Sequence, residues 1–135
     1  VYKTAWYGGA ARGGQSEMDE RHAAVCRRFE QQVHDGQVSI HRGYSTDVLE
    51  GFPDAYFDWV YIDGNHLYEY VVRDLDAGFR KTRIGGLVTG DDYTDGGWWD
   101  GGVKKAVDEF SGGRAGVGNE QVAITRKQYI FRRMA

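Results

Sequence analysis

Three aspartates and one histidine carry the chemistry available to this sequence: Asp63, Asp91, Asp92 and His66. An almost continuously apolar run from Tyr56 to Ile62 ends at Asp63, and a second run, Leu87 to Gly90, ends at Asp91 and Asp92. If both runs are strands lying side by side, their backbones are about 4.8 Å apart. Three carboxylates then leave one sheet edge into one crevice, where they repel and raise one another's pKa. A divalent cation relieves that repulsion, and hard oxygen donors suit Mg2+, Ca2+ or Mn2+ rather than Zn2+. Aspartates also cap helices and solvate loop starts, so position alone leaves both readings open. His66 follows Asp63 by three residues and faces the same crevice. It can act as a general base, polarise a substrate hydroxyl, ligate a metal, or simply start the next helix. Asp58 sits at the entry end of its run, on the opposite edge, and is read as structural.

The elements that must position these residues alternate. After a short extended start (Val1–Trp6) and a glycine-rich loop, helical spacing of Met18, Val25, Phe29 and Val33 predicts a helix over Ser16–Val33 with Ser16 as its N-cap. Gln37–His41 reads as a short strand, and Ser45 as the cap of a short helix through Phe52. The run ending at Asp63 reads as a strand covered on both faces, as in a parallel sheet. A helix over 67–81 sets Leu67, Val71, Val72, Leu75, Gly78 and Phe79 on one side, and Gly85-Gly86 connects it to the strand Leu87–Gly90. Val103, Ala106, Val107 and Phe110 mark a further helix. Gln121–Thr125 and Tyr129–Arg132 read as a closing antiparallel hairpin. Strands alternating with helices mean crossover units: an α/β, Rossmann-like, doubly wound and mainly parallel sheet over one domain, residues 1–135. Ligands of such folds bind at the carboxyl ends of the strands, where Asp63, Asp91 and Asp92 are expected to lie.

Composition narrows the function classes. A net charge of −3 argues against nucleic acid as the partner, because phosphate binding needs a basic face. No apolar stretch approaches the roughly 18 residues of a membrane span, and no signal peptide opens the chain. The single cysteine, Cys26, forms no internal disulfide and suits a reducing compartment. The expectation is a cytoplasmic protein. Cys26 lies on the apolar stripe of its helix, without a nearby base, and is read as a small buried side chain rather than a nucleophile.

Phe57 to Glu69, Asp74-Leu75, Gly85-Gly86, Gly90-Asp91-Asp92-Tyr93 and Gly102 to Phe110 together resemble class I S-adenosylmethionine-dependent methyltransferases. The resemblance covers about residues 16–133 and points to the branch of metal-dependent O-methyltransferases of sugars and natural products. It implies that Asp63 is catalytic and binds metal and that Asp91 and Asp92 are paired metal ligands; from its position beside Asp63, His66 is read as assisting. It implies that Gly43, Tyr44 and Ser45, with Asp63, hold the cofactor. The implied cofactors are S-adenosylmethionine and Mg2+ or another divalent cation, and the implied partner is a small-molecule methyl acceptor.

One part of the family pattern has no counterpart. Tyr7 to Gly14 is glycine-rich but lacks the G-x-G-x-x-G spacing, and Lys3-Thr4-Ala5 stands where the family has an acid for the ribose. On that alignment the first strand and helix of the fold are missing. An exposed sheet edge and an uncovered apolar face would result, and both invite a homo-oligomer, most simply a two-fold dimer. Two rival readings use the same residues: a catalytically inactive methyltransferase-like interaction module, and a metal-dependent hydrolase. Between glycine pairs, Trp98-Trp99 suits either a mobile lid over the substrate or packing on the sheet and at a subunit contact.

Overall fold

The computed structural model describes residues 10–112 and 118–135, arranged as two units, Val1–Arg42 and Gly43–Ala135. The extended start expected at Val1–Trp6 lies outside the described residues.

In the first unit a 3-10 turn at Ala10–Gly13 leads into α1 (Gly14–Arg28) and α2 (Glu30–His34). The helix begins two residues before the expected cap. Gly14 has a φ of +82°, which glycine adopts at no steric cost, so the chain turns there. Ser16 therefore lies inside the first turn and caps nothing. The helical run also breaks at Phe29, where φ is −109° and ψ is 15°. Gln37–His41 forms no strand. The Gln37 and Val38 N–H groups both donate to the Gln32 carbonyl, at 2.8 and 3.1 Å, and so close the end of α2 rather than join a ladder. Neither helix buries a residue. Cys26 is half-buried, with Sγ 3.7 Å from His22 Nε2.

The second unit runs α3 (Ser45–Glu50), β1 (Phe57–Ile62), α4 (Tyr68–Lys81), β2 (Thr82–Gly90), α5 (Gly102–Ser111), β3 (Asn119–Thr125) and β4 (Gln128–Arg133). The sheet order is β1-β2-β4-β3. β1 and β2 are parallel; β2 pairs β4 antiparallel, and β4 pairs β3 antiparallel. The fold is therefore α/β with a mixed sheet, rather than the mainly parallel one expected. Among the described residues only the β1–α4–β2 crossover yields a parallel neighbour, and after α5 the chain folds back on itself.

Apolar spacing explains why α4 and α5 sit where they do. Val71, Leu75 and Phe79 of α4 meet Val103, Ala106, Val107 and Phe110 of α5 over Val88 of β2 and Tyr129 and Phe131 of β4. Burying each large side chain is worth about 1.5–3 kcal/mol, so this cluster anchors the unit. Gly78 lets α4 approach β1 closely, since a Cβ there would stand 3.3 Å from Val60 Cγ1. Gly90 is required more strictly, because a Cβ there would overlap the Tyr129 hydroxyl.

Two details of the strands differ from expectation. β1 is not covered on both faces: Val60 and Ile62 turn toward α4, while Trp59 and Tyr61 are 60% and 44% exposed. Their polar ends are used instead, Trp59 Nε1 donating to Thr89 Oγ1 at 2.7 Å and Tyr61 Oη accepting from Gln128 Nε2 at 3.0 Å. An aromatic-rich run is thus amphipathic rather than uniformly apolar. β2 begins at Thr82, not Leu87. Thr82 pairs Phe57 and Leu87 pairs Trp59, so Gly85-Gly86 lies in a bulge inside the strand. No described helix is long and apolar enough to cross a membrane.

Candidate active site

The two strands end together. Ile62 pairs with Gly90, and the Asp91 N–H donates to the Ile62 carbonyl at 3.3 Å. Asp63 and Asp91 therefore emerge side by side from adjacent parallel strands. After Asp63 the chain turns through Gly64, and the buried Asn65 accepts the Leu67 N–H on its Oδ1 at 3.0 Å. This side-chain turn starts α4 and aims His66 back at the strand ends.

His66 is well covered, its side chain 18% exposed, while that of Asp63 is 58% exposed. His66 Nε2 lies 3.5 Å from Asp63 Oδ1 and 3.3 Å from Asp92 Oδ2. Its ring packs beside two tryptophans that contact each other, with centroids 5.8 Å from Trp98 and 4.8 Å from Trp99. His66 Nδ1 and Trp99 Nε1 are buried without a hydrogen-bond partner. Trp99 also packs against the hydrophobic core, so the Trp98-Trp99 loop forms a wall of the site.

Backbone geometry decides which aspartate joins His66. Asp92 has a φ of +59°, a left-handed conformation that costs an ordinary residue about 1 kcal/mol but that Asp tolerates better than most. Its N–H donates to Asp91 Oδ1 at 2.8 Å. This turn swings the Asp92 carboxylate toward His66 and leaves Asp91 on the side of Tyr61. Desolvation, and then the negative charges of Asp91 and Asp63, raise the Tyr61 hydroxyl above its ordinary pKa. Asp63, His66 and Asp92 thus offer three ligand atoms within 4.8 Å of one another. Asp91, expected as a ligand with Asp63 and Asp92, is outside that group, and His66 takes its place.

This donor set fits a divalent cation. Ligands at 2.0–2.1 Å in an octahedron sit about 3 Å apart when adjacent, close to the His66–carboxylate distances. Two carboxylate oxygens and one imidazole suit Mn2+ or another divalent metal that accepts a nitrogen, besides Mg2+.

The Gly43-Tyr44-Ser45 loop, also in the second unit, leads into α3 with Tyr44 exposed. Ser45 is not a cap. It is the first residue of α3, and its hydroxyl donates to Asp74 Oδ1 at 2.5 Å. Tyr44, Ser45, Asp47, Tyr70, Arg73 and Asp74 line a cavity of about 250 Å3. That is below the roughly 300–1,000 Å3 usual for a drug-sized ligand, so the cavity suits one ring system of a cofactor rather than the whole. Burial raises the Asp74 carboxyl above the ordinary aspartate range, against the pull of the Ser45 hydrogen bond. Asp74 was visible in the sequence as an aspartate on the buried stripe of α4, between Val71 and Gly78, a place where a carboxylate needs a partner.

The profile of a family described as a methyltransferase domain matches residues 4–93, which include β1, α4, β2 and all four site residues. The chain belongs to this methyltransferase domain family. Among solved structures it is similar to the O-methyltransferase NovP, with 25% identity and a TM-score of 0.64 over 99% of this chain and 54% of that one. It is also 31% identical over 71 residues to uncharacterized protein R132 of Acanthamoeba polyphaga mimivirus, a stretch covering 49% of this chain and 32% of the viral protein. This methyltransferase domain therefore spans about half the length of NovP and about a third of the viral relative.

Proposed function

We propose that this domain transfers a methyl group from S-adenosylmethionine to a hydroxyl oxygen of a small molecule, in a site served by a divalent cation. The observation that carries the reading is the convergence of Asp63, His66 and Asp92 at the carboxyl ends of two adjacent parallel strands in a chain of the methyltransferase family. The O-methyltransferase neighbour favours oxygen as the acceptor atom.

Asp63, His66 and Asp92 hold the cation. When bound, it draws charge from the acceptor oxygen and makes the hydroxyl easier to deprotonate. Asp63, the most exposed of the three, orients that hydroxyl and receives its proton. His66, packed against Trp98 and Trp99, keeps the two carboxylates at a set separation, and the tryptophans exclude water from one side. The Gly43–Ser45 loop holds the adenosyl part of the cofactor beside the cavity that it lines. The acceptor oxygen forms a bond to the methyl carbon as the carbon–sulfur bond breaks. The bonding pair stays on sulfur as a neutral thioether, and the hydroxyl proton leaves through Asp63 to solvent.

Within the same proposal the domain is cytoplasmic, in keeping with its single cysteine, and self-associates as a two-fold dimer. Among the described residues β1 and β3 are the outer strands of the sheet, and Trp59 and Tyr61 present exposed rings on β1.

Calorimetric titration with S-adenosylmethionine, with and without Mg2+ or Mn2+, tests the function. Binding of both cofactor and metal is expected. Metal binding without the cofactor points to hydrolytic chemistry at the same carboxylates, and binding of neither makes the domain an interaction module.

A further inference from the structure

Asp74 is nearly buried, 6% exposed, yet the chemistry above does not use it. Its two oxygens face two different loops, one by a hydrogen bond and the other by packing. Oδ1 accepts the Ser45 hydroxyl at the end of the Gly43–Ser45 loop. Oδ2 lies against Gly64, close enough that a Cβ there would stand 3.2 Å away. Gly64 in turn joins Asp63 to the Asn65-His66 turn. A carboxylate on the buried stripe of α4 is costly to desolvate, and an aliphatic side chain would fill the space more cheaply. A short carboxylate does what no aliphatic residue can, because one oxygen accepts from the Ser45 loop while the other packs beside the Gly64 loop.

We propose that Asp74 is a positioning residue that ties the Gly43–Ser45 loop to the Asp63–His66 loop, so that ligand binding at the first sets the geometry of the second. The inference rests on the methyl-transfer reading for its functional consequence and on geometry alone for the coupling.

The test uses Ser45→Ala, Asp74→Ala, Asp74→Asn and the Ser45→Ala/Asp74→Ala double variant, with two readouts. In calorimetry, Ser45→Ala and Asp74→Ala each weaken S-adenosylhomocysteine binding about tenfold, the scale of one lost hydrogen bond. The double variant is no weaker than Asp74→Ala, because both changes remove the same link. Asp74→Asn, which keeps an acceptor for Ser45, stays within about threefold of the parent. In kinetics the effect falls on KM for the cofactor rather than on kcat. In hydrogen exchange, Asp74→Ala accelerates residues 43–47 and 63–66 together, and Ser45→Ala accelerates 43–47. Acceleration of 43–47 alone in Asp74→Ala overturns the coupling, as does a Ser45→Ala protein unchanged in both affinity and exchange. If Asp74→Ala does not fold, the exposed Ser45 hydroxyl tests the same bond without opening a cavity, and Asp74→Asn tests the Gly64 side through exchange at 63–66. If the parent protein binds no S-adenosylhomocysteine, the methyl-transfer reading falls while the exchange experiment still decides the coupling.

Discussion

His66 Nε2 lies 3.3 Å from Asp92 Oδ2 and 3.5 Å from Asp63 Oδ1, so one imidazole nitrogen faces carboxylates carried by two strands. The first prediction follows from that arrangement. His66→Ala and Asp92→Asn each weaken Mn2+ binding by at least about tenfold, whereas Asp91→Asn changes it little. Calorimetric titration with Mn2+ checks this. A larger loss in Asp91→Asn than in His66→Ala would return the ligand role to Asp91.

Asp63→Asn removes most turnover, about 100-fold or more, with little change in melting temperature. Its side chain is exposed and its isostere keeps the shape but not the charge. The assay pairs a panel of phenols and sugars with S-adenosylmethionine at saturating Mg2+ or Mn2+. Unchanged turnover in Asp63→Asn would remove this residue from the chemistry.

Gly90→Ala destabilises the protein by about 1–3 kcal/mol, because the new methyl group collides with the Tyr129 hydroxyl in a filled core. Urea unfolding of the two proteins measures the difference. A neutral result would mean that β1 and β4 both give way around β2, since the Ile62 carbonyl also crowds this position.

Burial raises the Asp74 pKa above the ordinary 3.8 of an aspartate. The folded state then binds this proton more tightly than the unfolded chain, so this group's contribution to stability falls as pH rises from 3.8 to the folded-state value. Above that window the cost of the buried charge is fully present. Asp74→Asn has no such slope, and its stability relative to the parent therefore improves as pH rises through the window. Parallel unfolding curves across acid pH check the sign. An opposite slope would mean that hydrogen bonding outweighs burial at this carboxyl.

Light scattering on the purified chain is expected to report a dimer, and Trp59→Ser combined with Tyr61→Ser is expected to shift it toward monomer. A compact monomer in the parent at high concentration would remove the assembly.

What the sequence made legible is local. The stripes of α4 and α5 come from apolar residues three and four apart, and Asp63 and Asp91 are neighbours because each directly follows an apolar strand. That Asp92 rather than Asp91 lies beside His66 was not legible, since it turns on the φ of one residue. Nor was the half-open face of β1: Trp59 and Tyr61 count as apolar in a linear pattern, but their ring ends find polar partners across the sheet. Gln37–His41 had strand composition, and nothing in it announces that Gln32 takes its N–H groups. The Ser45–Asp74 bond spans 29 positions, beyond the reach of any local signal.

The sheet order β1-β2-β4-β3 puts β4, the last of the described strands, inside the sheet, between β2 and β3. During synthesis, β1, α4, β2 and α5 leave the ribosome before Tyr129 and Phe131, which are two of the side chains their core is built around. Until those residues emerge, Val88, Val103 and Val107 are covered by α4 but not by β4, and the nascent chain resembles an aggregation-prone intermediate. Folding of this unit is therefore tied to completion of translation through β4. A stop before β4 would yield a chaperone client rather than a slightly less stable domain.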